Sequence, residues 1–176
     1  MKPRAKLLGT LLALLLAQQL SNLIAPEWTR PDLVLAFALA LGLRERATEA
    51  LVLAFVVGFA VDALSAAPLG LHSLLRGTAC VATRFADRAL YLRAPLPWAI
   101  YVGAYVVLDA ALLVGLMRAF SAGPGVGLAA VALHVPGAAV ATALLAAPLY
   151  LWMERIGGGL DAEGALPSLT RPGARL

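Results

Sequence analysis

Long apolar runs, broken by short polar or proline-bearing stretches, set the pattern of this chain. Residues 7–26 carry no charge and predict a first helical span at 7–25, with Gln18, Gln19, Ser21 and Asn22 crowded at its far end. A polar stretch, PEWTRPD, precedes LVLAFALALGL at 33–43. Eleven charge-free residues reach roughly 16 Å as a helix, short of a hydrocarbon core of about 30 Å. Either Arg44 and Arg46 snorkel to lengthen this second span, or it is re-entrant. Residues 50–75 hold a single charge, Asp62, with Ser65, Pro68 and Gly70 in the middle of the run. Proline removes a backbone donor and clashes with the preceding turn, so the pattern predicts a helical hairpin, 49–65 and 69–85. A basic loop with Arg84, Arg88 and Arg93 around Asp87 follows, and Pro95 and Pro97 open a fifth span at 96–117 that only Asp109 interrupts. A loop at 121–125 leads to a sixth span within 127–153, where Pro136 and Pro148 predict a kink. The expected organisation is one six-helix transmembrane domain, 1–153, and a poorly ordered cytoplasmic tail, 154–176.

Composition narrows the class further. Of 176 residues, 61% are hydrophobic and 14% charged, against about 45–50% and about 25% in soluble domains. A soluble protein of this size cannot bury that much apolar surface. The fold class is therefore all-α, a polytopic membrane protein. The basic start Lys2, Arg4, Lys6 resembles a secretory leader, but the apolar run exceeds the usual length of about 7–15 residues. Leu23 is also too large for the cleavage position before Ala25, so the first span is read as uncleaved. The one cysteine, Cys80, excludes an internal disulfide and reads as small apolar filler in a helix.

The net charge is +4, with no basic run interleaved with aromatics, which points to anionic lipid and away from nucleic acid. With six spans, eleven of the fourteen Lys and Arg residues fall on the side of the two termini and only Arg30 and Arg118 on the other. That bias predicts both termini in the cytoplasm. Merging the third and fourth spans would carry Arg84, Arg88 and Arg93 outside, so the bias also favours the hairpin.

Ionisable groups at membrane depth face protein and have partners. Asp62 and His72 flank the hairpin turn at similar depth, and Arg76 lies one helical turn beyond His72 on the same face. Asp62 has either one to accept from. Two readings stand, a binding or proton-relay site and, preferred, a buried lock that closes the hairpin. Ala54, Gly58 and Asp62 share one face, where another helix can approach closely. On the fifth span Trp98, Tyr101, Tyr105 and Asp109 form one stripe, which reads either as a small-molecule pocket or as the inward face of a bundle with Asp109 bonded to a phenol. His134 stands two residues before Pro136 and reads as a core histidine satisfied by a freed backbone carbonyl. No GxSxG, HExxH or Walker loop occurs, and no carboxylate pair has catalytic spacing. The expectation is no enzyme, no cofactor and no metal.

The stretch RPDLVLAFALALGLRERATEALVLAFVVGFAVDALSAAPLGLHSLL, residues 30–75, resembles the core of the rod shape-determining protein MreD family. The resemblance is carried by Pro31-Asp32, the short Leu-rich span, the basic turn, Gly58 and Asp62 in G-x-x-x-D, and Pro68-Leu-Gly-Leu-His72. It implies a non-catalytic inner-membrane scaffold of the cell-elongation machinery that binds MreC. Through MreC and RodZ-like partners it would serve MreB, a RodA-type glycosyltransferase and a class B penicillin-binding transpeptidase, supporting rod shape and lateral peptidoglycan synthesis. It also implies a fold similar to the S components of energy-coupling-factor transporters. By position, Asp62, Pro68, Gly70 and His72 become candidate structural or partner-binding residues, beside Arg76, Tyr101, Tyr105, Asp109 and His134. The alternative function is a substrate-binding, S-component-like subunit of a vitamin transporter, whose pocket the stripe through Tyr101 and Tyr105 would line. An intramembrane enzyme using Asp62 and His72 ranks third.

Overall fold

The computed structural model describes residues 3–43, 47–65, 68–120 and 128–161. Among them are six α-helices and no strand: α1 (Pro3–Ile24), α2 (Leu33–Gly42), α3 (Ala47–Leu64), α4 (Leu71–Leu90), α5 (Pro95–Phe120) and α6 (Leu128–Asp161), with a short 3-10 turn, Glu27–Thr29, between α1 and α2. The six segments expected from the hydrophobic runs are all helical. Two of the helices contain stretches long and apolar enough to cross a membrane, Pro95–Ala119 and Leu133–Arg155.

The architecture is built around the shortest helix. Every residue of α2 from Val34 to Gly42 is buried, while α3, α4, α6, α1 and α5 all pack on it. This explains why 33–43 reads as unbroken apolar sequence with no polar face: a helix enclosed on all sides is hydrophobic all round. Its start is set by Asp32, whose Oδ1 accepts the Leu35 backbone N–H at 2.7 Å, the side-chain cap that a helix start needs. At its other end Gly42 touches the Cys80 carbonyl and the Thr83 side chain on α4, so any larger residue there would collide with backbone. Cys80 itself is buried, filling that seam as expected.

Helices α3 and α4 form the expected hairpin. The Ala54–Gly58–Asp62 face of α3 packs on α4, with Gly58 against the backbone of His72 and Ser73. Helices α5 and α6 form the second extensive pair, and α6 also takes the 3-10 turn. There the Trp28 carbonyl lies directly on Gly137, where a Cβ has no room.

Two boundaries differ from the sequence reading. The basic stretch from Arg84 continues α4 as far as Leu90, where Arg84 and Asp87 stand at i,i+3 spacing and their opposite charges support a turn. The helix stops where Tyr91 takes a left-handed conformation, φ +52°, and bonds back to the Asp87 carbonyl. Helix α6 runs through Pro136 and Pro148 to Asp161, past the expected boundary at 153. The expected tail beyond 161 and the loop at 121–125 lie outside the described residues.

Candidate functional site

Asp62 lies at the end of α3, 1% exposed, and closes the hairpin by capping α4 across the turn. Its Oδ2 accepts the backbone N–H groups of Gly70 (3.0 Å) and Ser73 (3.2 Å). Its Oδ1 accepts the His72 backbone N–H at 3.0 Å and the His72 ring Nδ1 at 2.9 Å. Four donors converge on one carboxylate, three of them otherwise unpaired amides at a helix N-terminus, where negative charge is favoured. Gly70 makes the turn possible with φ +94°, a conformation that glycine adopts without penalty. Pro68 is exposed and accepts the Leu71 N–H through its carbonyl. These bonds join the end of α3 to the start of α4. Ser73 Oγ donates to the Phe55 carbonyl at 3.0 Å, so the serine next to the histidine is engaged elsewhere.

Arg76 does not join this cluster, contrary to one of the two sequence expectations. It is 3% exposed and turns to the middle of the bundle. Its Nη2 donates to Asp32 Oδ2 at 2.6 Å and its Nη1 to Asp109 Oδ2 at 3.1 Å. The two positional clusters of the sequence reading therefore meet at Arg76, and the partner of Asp109 is a guanidinium, not a phenol. A buried charge needs such pairing, because an unpaired one costs several kcal/mol.

Asp32 is the residue whose role the sequence reading missed. It caps α2, bonds Arg76, and donates its backbone N–H to Thr142 Oγ1 of α6 at 2.9 Å. Thr142 in turn donates to the Ala138 carbonyl. Gln18 of α1 completes the junction: its Oε1 accepts the Leu33 N–H at 2.8 Å and its Nε2 donates to the Pro31 carbonyl at 3.0 Å. Five helices thus meet through side-chain or capping bonds at the start of α2. A signal for Asp32 was present, an acidic residue directly before an apolar run. Nothing local identifies Gln18 or Thr142, since their partners are 15 and 110 residues away.

The aromatic stripe of α5 faces inward. Trp98 is fully buried, its ring 6.0 Å from Tyr101 and 6.1 Å from Tyr150 of α6. Tyr101 and Tyr105 lie 5.9 Å apart. The Tyr101 hydroxyl pairs with Thr83 Oγ1 at 3.2 Å, and Tyr105 is buried beside it. The Tyr101 phenol therefore ties α5 to α4. His134 is half-buried, and its Nδ1 has no hydrogen-bond partner among the described residues, so the expected carbonyl is not found at that nitrogen.

Among the described residues no group of three His, Cys, Asp or Glu side chains is placed to hold a metal ion. One carboxylate closes the α3–α4 hairpin, and one guanidinium binds the α2 start to α4 and α5.

In comparison with known families, the profile described as rod shape-determining protein MreD matches residues 6–156, from the first turn of α1 into the last third of α6. No curated protein and no solved structure matches the chain.

Proposed function

Because the chain belongs to the MreD family of rod shape-determining proteins, we propose that it is a scaffold subunit of the cell-elongation machinery in the bacterial inner membrane. The family is a membrane protein family with a role in rod shape. In this reading the chain crosses the membrane six times with both termini in the cytoplasm, and α2 enters as a half-length helix enclosed by the others. It binds MreC, and through MreC it supports lateral peptidoglycan synthesis by the glycosyltransferase and transpeptidase that follow MreB filaments. Its fold is that of a small helical bundle similar to the S components of energy-coupling-factor transporters.

The observation that carries the reading is the family match over residues 6–156. The interior chemistry is in keeping with it. Asp62 is consumed by four donors and Arg76 by two carboxylates, an investment in fixed helix positions that suits a scaffold. Rigid helix faces are what a partner helix needs in lipid, where association rests on packing and interhelical hydrogen bonds. Of the two tyrosines proposed to line a vitamin pocket, Tyr101 is bonded to α4 through Thr83, and no observation favours the transporter reading.

The test is depletion together with capture. Depleting the protein rounds rod-shaped cells, and the tagged chain co-purifies with an MreC-type protein from detergent extracts. Cells that remain rods, with no such partner recovered, refute the proposal.

A further inference from the structure

Asp109 lies ten residues inside the end of the apolar stretch Pro95–Ala119, roughly 15 Å at about 1.5 Å per residue. Arg76 bonds both Asp109 and Asp32, so the three charged groups share one depth. The neighbour of Asp109 on the outward side of α5, Leu108, is 50% exposed, as a lipid-facing residue should be. At the same depth the Asp32 side chain is 32% exposed. A carboxylate bared to hydrocarbon costs about 2.5–3.5 kcal/mol on insertion scales. Non-helical backbone such as that between α1 and α2 is tolerated at membrane depth only where it is buried in protein or lines water.

A second observation is independent of the exposure. Arg76 Nε and Asp109 Oδ1 are buried and have no hydrogen-bond partner among the described residues, on residues only 3% and 7% exposed. One is a donor and the other an acceptor, the pair that a water molecule satisfies with its own acceptor and donor. Two carboxylates against one guanidinium leave the cluster with a formal charge of −1, which disfavours an anion. The amino-terminal dipole of α2 offsets only part of that charge.

We propose that the start of α2 floors a water-filled vestibule, open to the non-cytoplasmic face, that leads past Asp32 to a hydration site between Arg76 and Asp109. The inference rests on the membrane-spanning reading given above. The half-length α2 creates the opening, because a full-length helix along the same path would fill it. The ligand class is a small neutral molecule with one donor and one acceptor, water being the smallest.

The test uses Leu33 and Leu108, the immediate neighbours of Asp32 and Asp109, in the full chain with its single cysteine removed as Cys80→Ala. Leu33→Cys and Leu108→Cys are exposed in right-side-out vesicles to a membrane-impermeant cationic methanethiosulfonate. Modification at 33 is expected to be at least about tenfold faster than at 108, since thiol reaction requires access to water. If neither position reacts, the vestibule is refuted and the membrane reading stands. If both react alike, the membrane reading itself falls. Should Leu33→Cys fail to accumulate, the unsubstituted chain in the same vesicles is treated with a water-soluble carbodiimide and an added amine. Conversion of Asp32 to the amide supports the vestibule, and an unmodified Asp32 overturns it.

Discussion

Arg76 of α4 and Asp32, the cap of α2, are 44 residues apart in sequence and 2.6 Å apart in the fold. Their contact turns the α2 cap into the junction of the bundle. The same guanidinium holds Asp109 at 3.1 Å, so helix start, hairpin and α5 are registered by one side chain.

Removing Arg76 alone should therefore be more damaging than replacing it together with Asp109, the more buried of its two carboxylate partners. Arg76→Ala leaves Asp109 buried without a cation, and losing one partner of a buried pair costs about 3–5 kcal/mol. The double substitution Arg76→Met with Asp109→Leu replaces the pair with apolar volume and should recover much of that loss. Thermal unfolding in detergent measures both. A double variant less stable than Arg76→Ala contradicts this account of the pair.

The hairpin lock predicts a loss of protein, not of chemistry. Asp62→Ala strips four donors of their acceptor. Each buried donor left without one costs about 1–3 kcal/mol, so steady-state protein level and rod shape should fall together. His72→Ala removes only one of the four donors and should be the milder change. Full protein levels with lost function in either variant would instead favour a chemical role for the pair.

Two glycines should resist substitution for different reasons. Gly58 lies against the backbone of His72 and Ser73, which cannot give way, so Gly58→Ala forces the hairpin apart and costs about 1–3 kcal/mol. Gly70 has open space for a side chain, yet its φ of +94° makes Gly70→Ala strained, by about 1–2 kcal/mol. Comparing melting temperatures for the two alanine variants checks this, with Gly115→Ala, mid-helix and uncrowded, as the neutral or stabilising control. A drop at Gly115 as large as at Gly58 would remove close packing as the cause.

Gln18 should act as the tether of α1. It bonds the Pro31 carbonyl and the Leu33 amide, while α1 otherwise packs only on α2 and α6 among the more extensive helix contacts. Gln18→Leu keeps the volume but leaves that amide and carbonyl unpaired, so α1 should loosen before the rest. The expected readout is faster hydrogen exchange in residues 9–24 with α5 and α6 unchanged. Uniform protection across all helices would show that the two bonds do not hold α1.

The sequence alone located the six described α-helices, because each is defined locally: an apolar run long enough to bury, bounded by proline, glycine or charge. It also placed Asp62 beside His72, since a hairpin brings residues on either side of its turn together whatever surrounds it. The same local logic explains its errors. Arg84, Asp87 and Arg88 look like loop because they are charged, yet their spacing suits the helix they extend. His134 was matched to a nearby carbonyl because chain proximity was all there was to go on. What only the tertiary structure decided is which charge Arg76 serves, that Asp32 is at the centre, and that the shortest apolar run is the most enclosed. Those facts depend on the rotation and depth of helices relative to one another. That arrangement is set by packing over the whole bundle, and no window of neighbouring residues contains it.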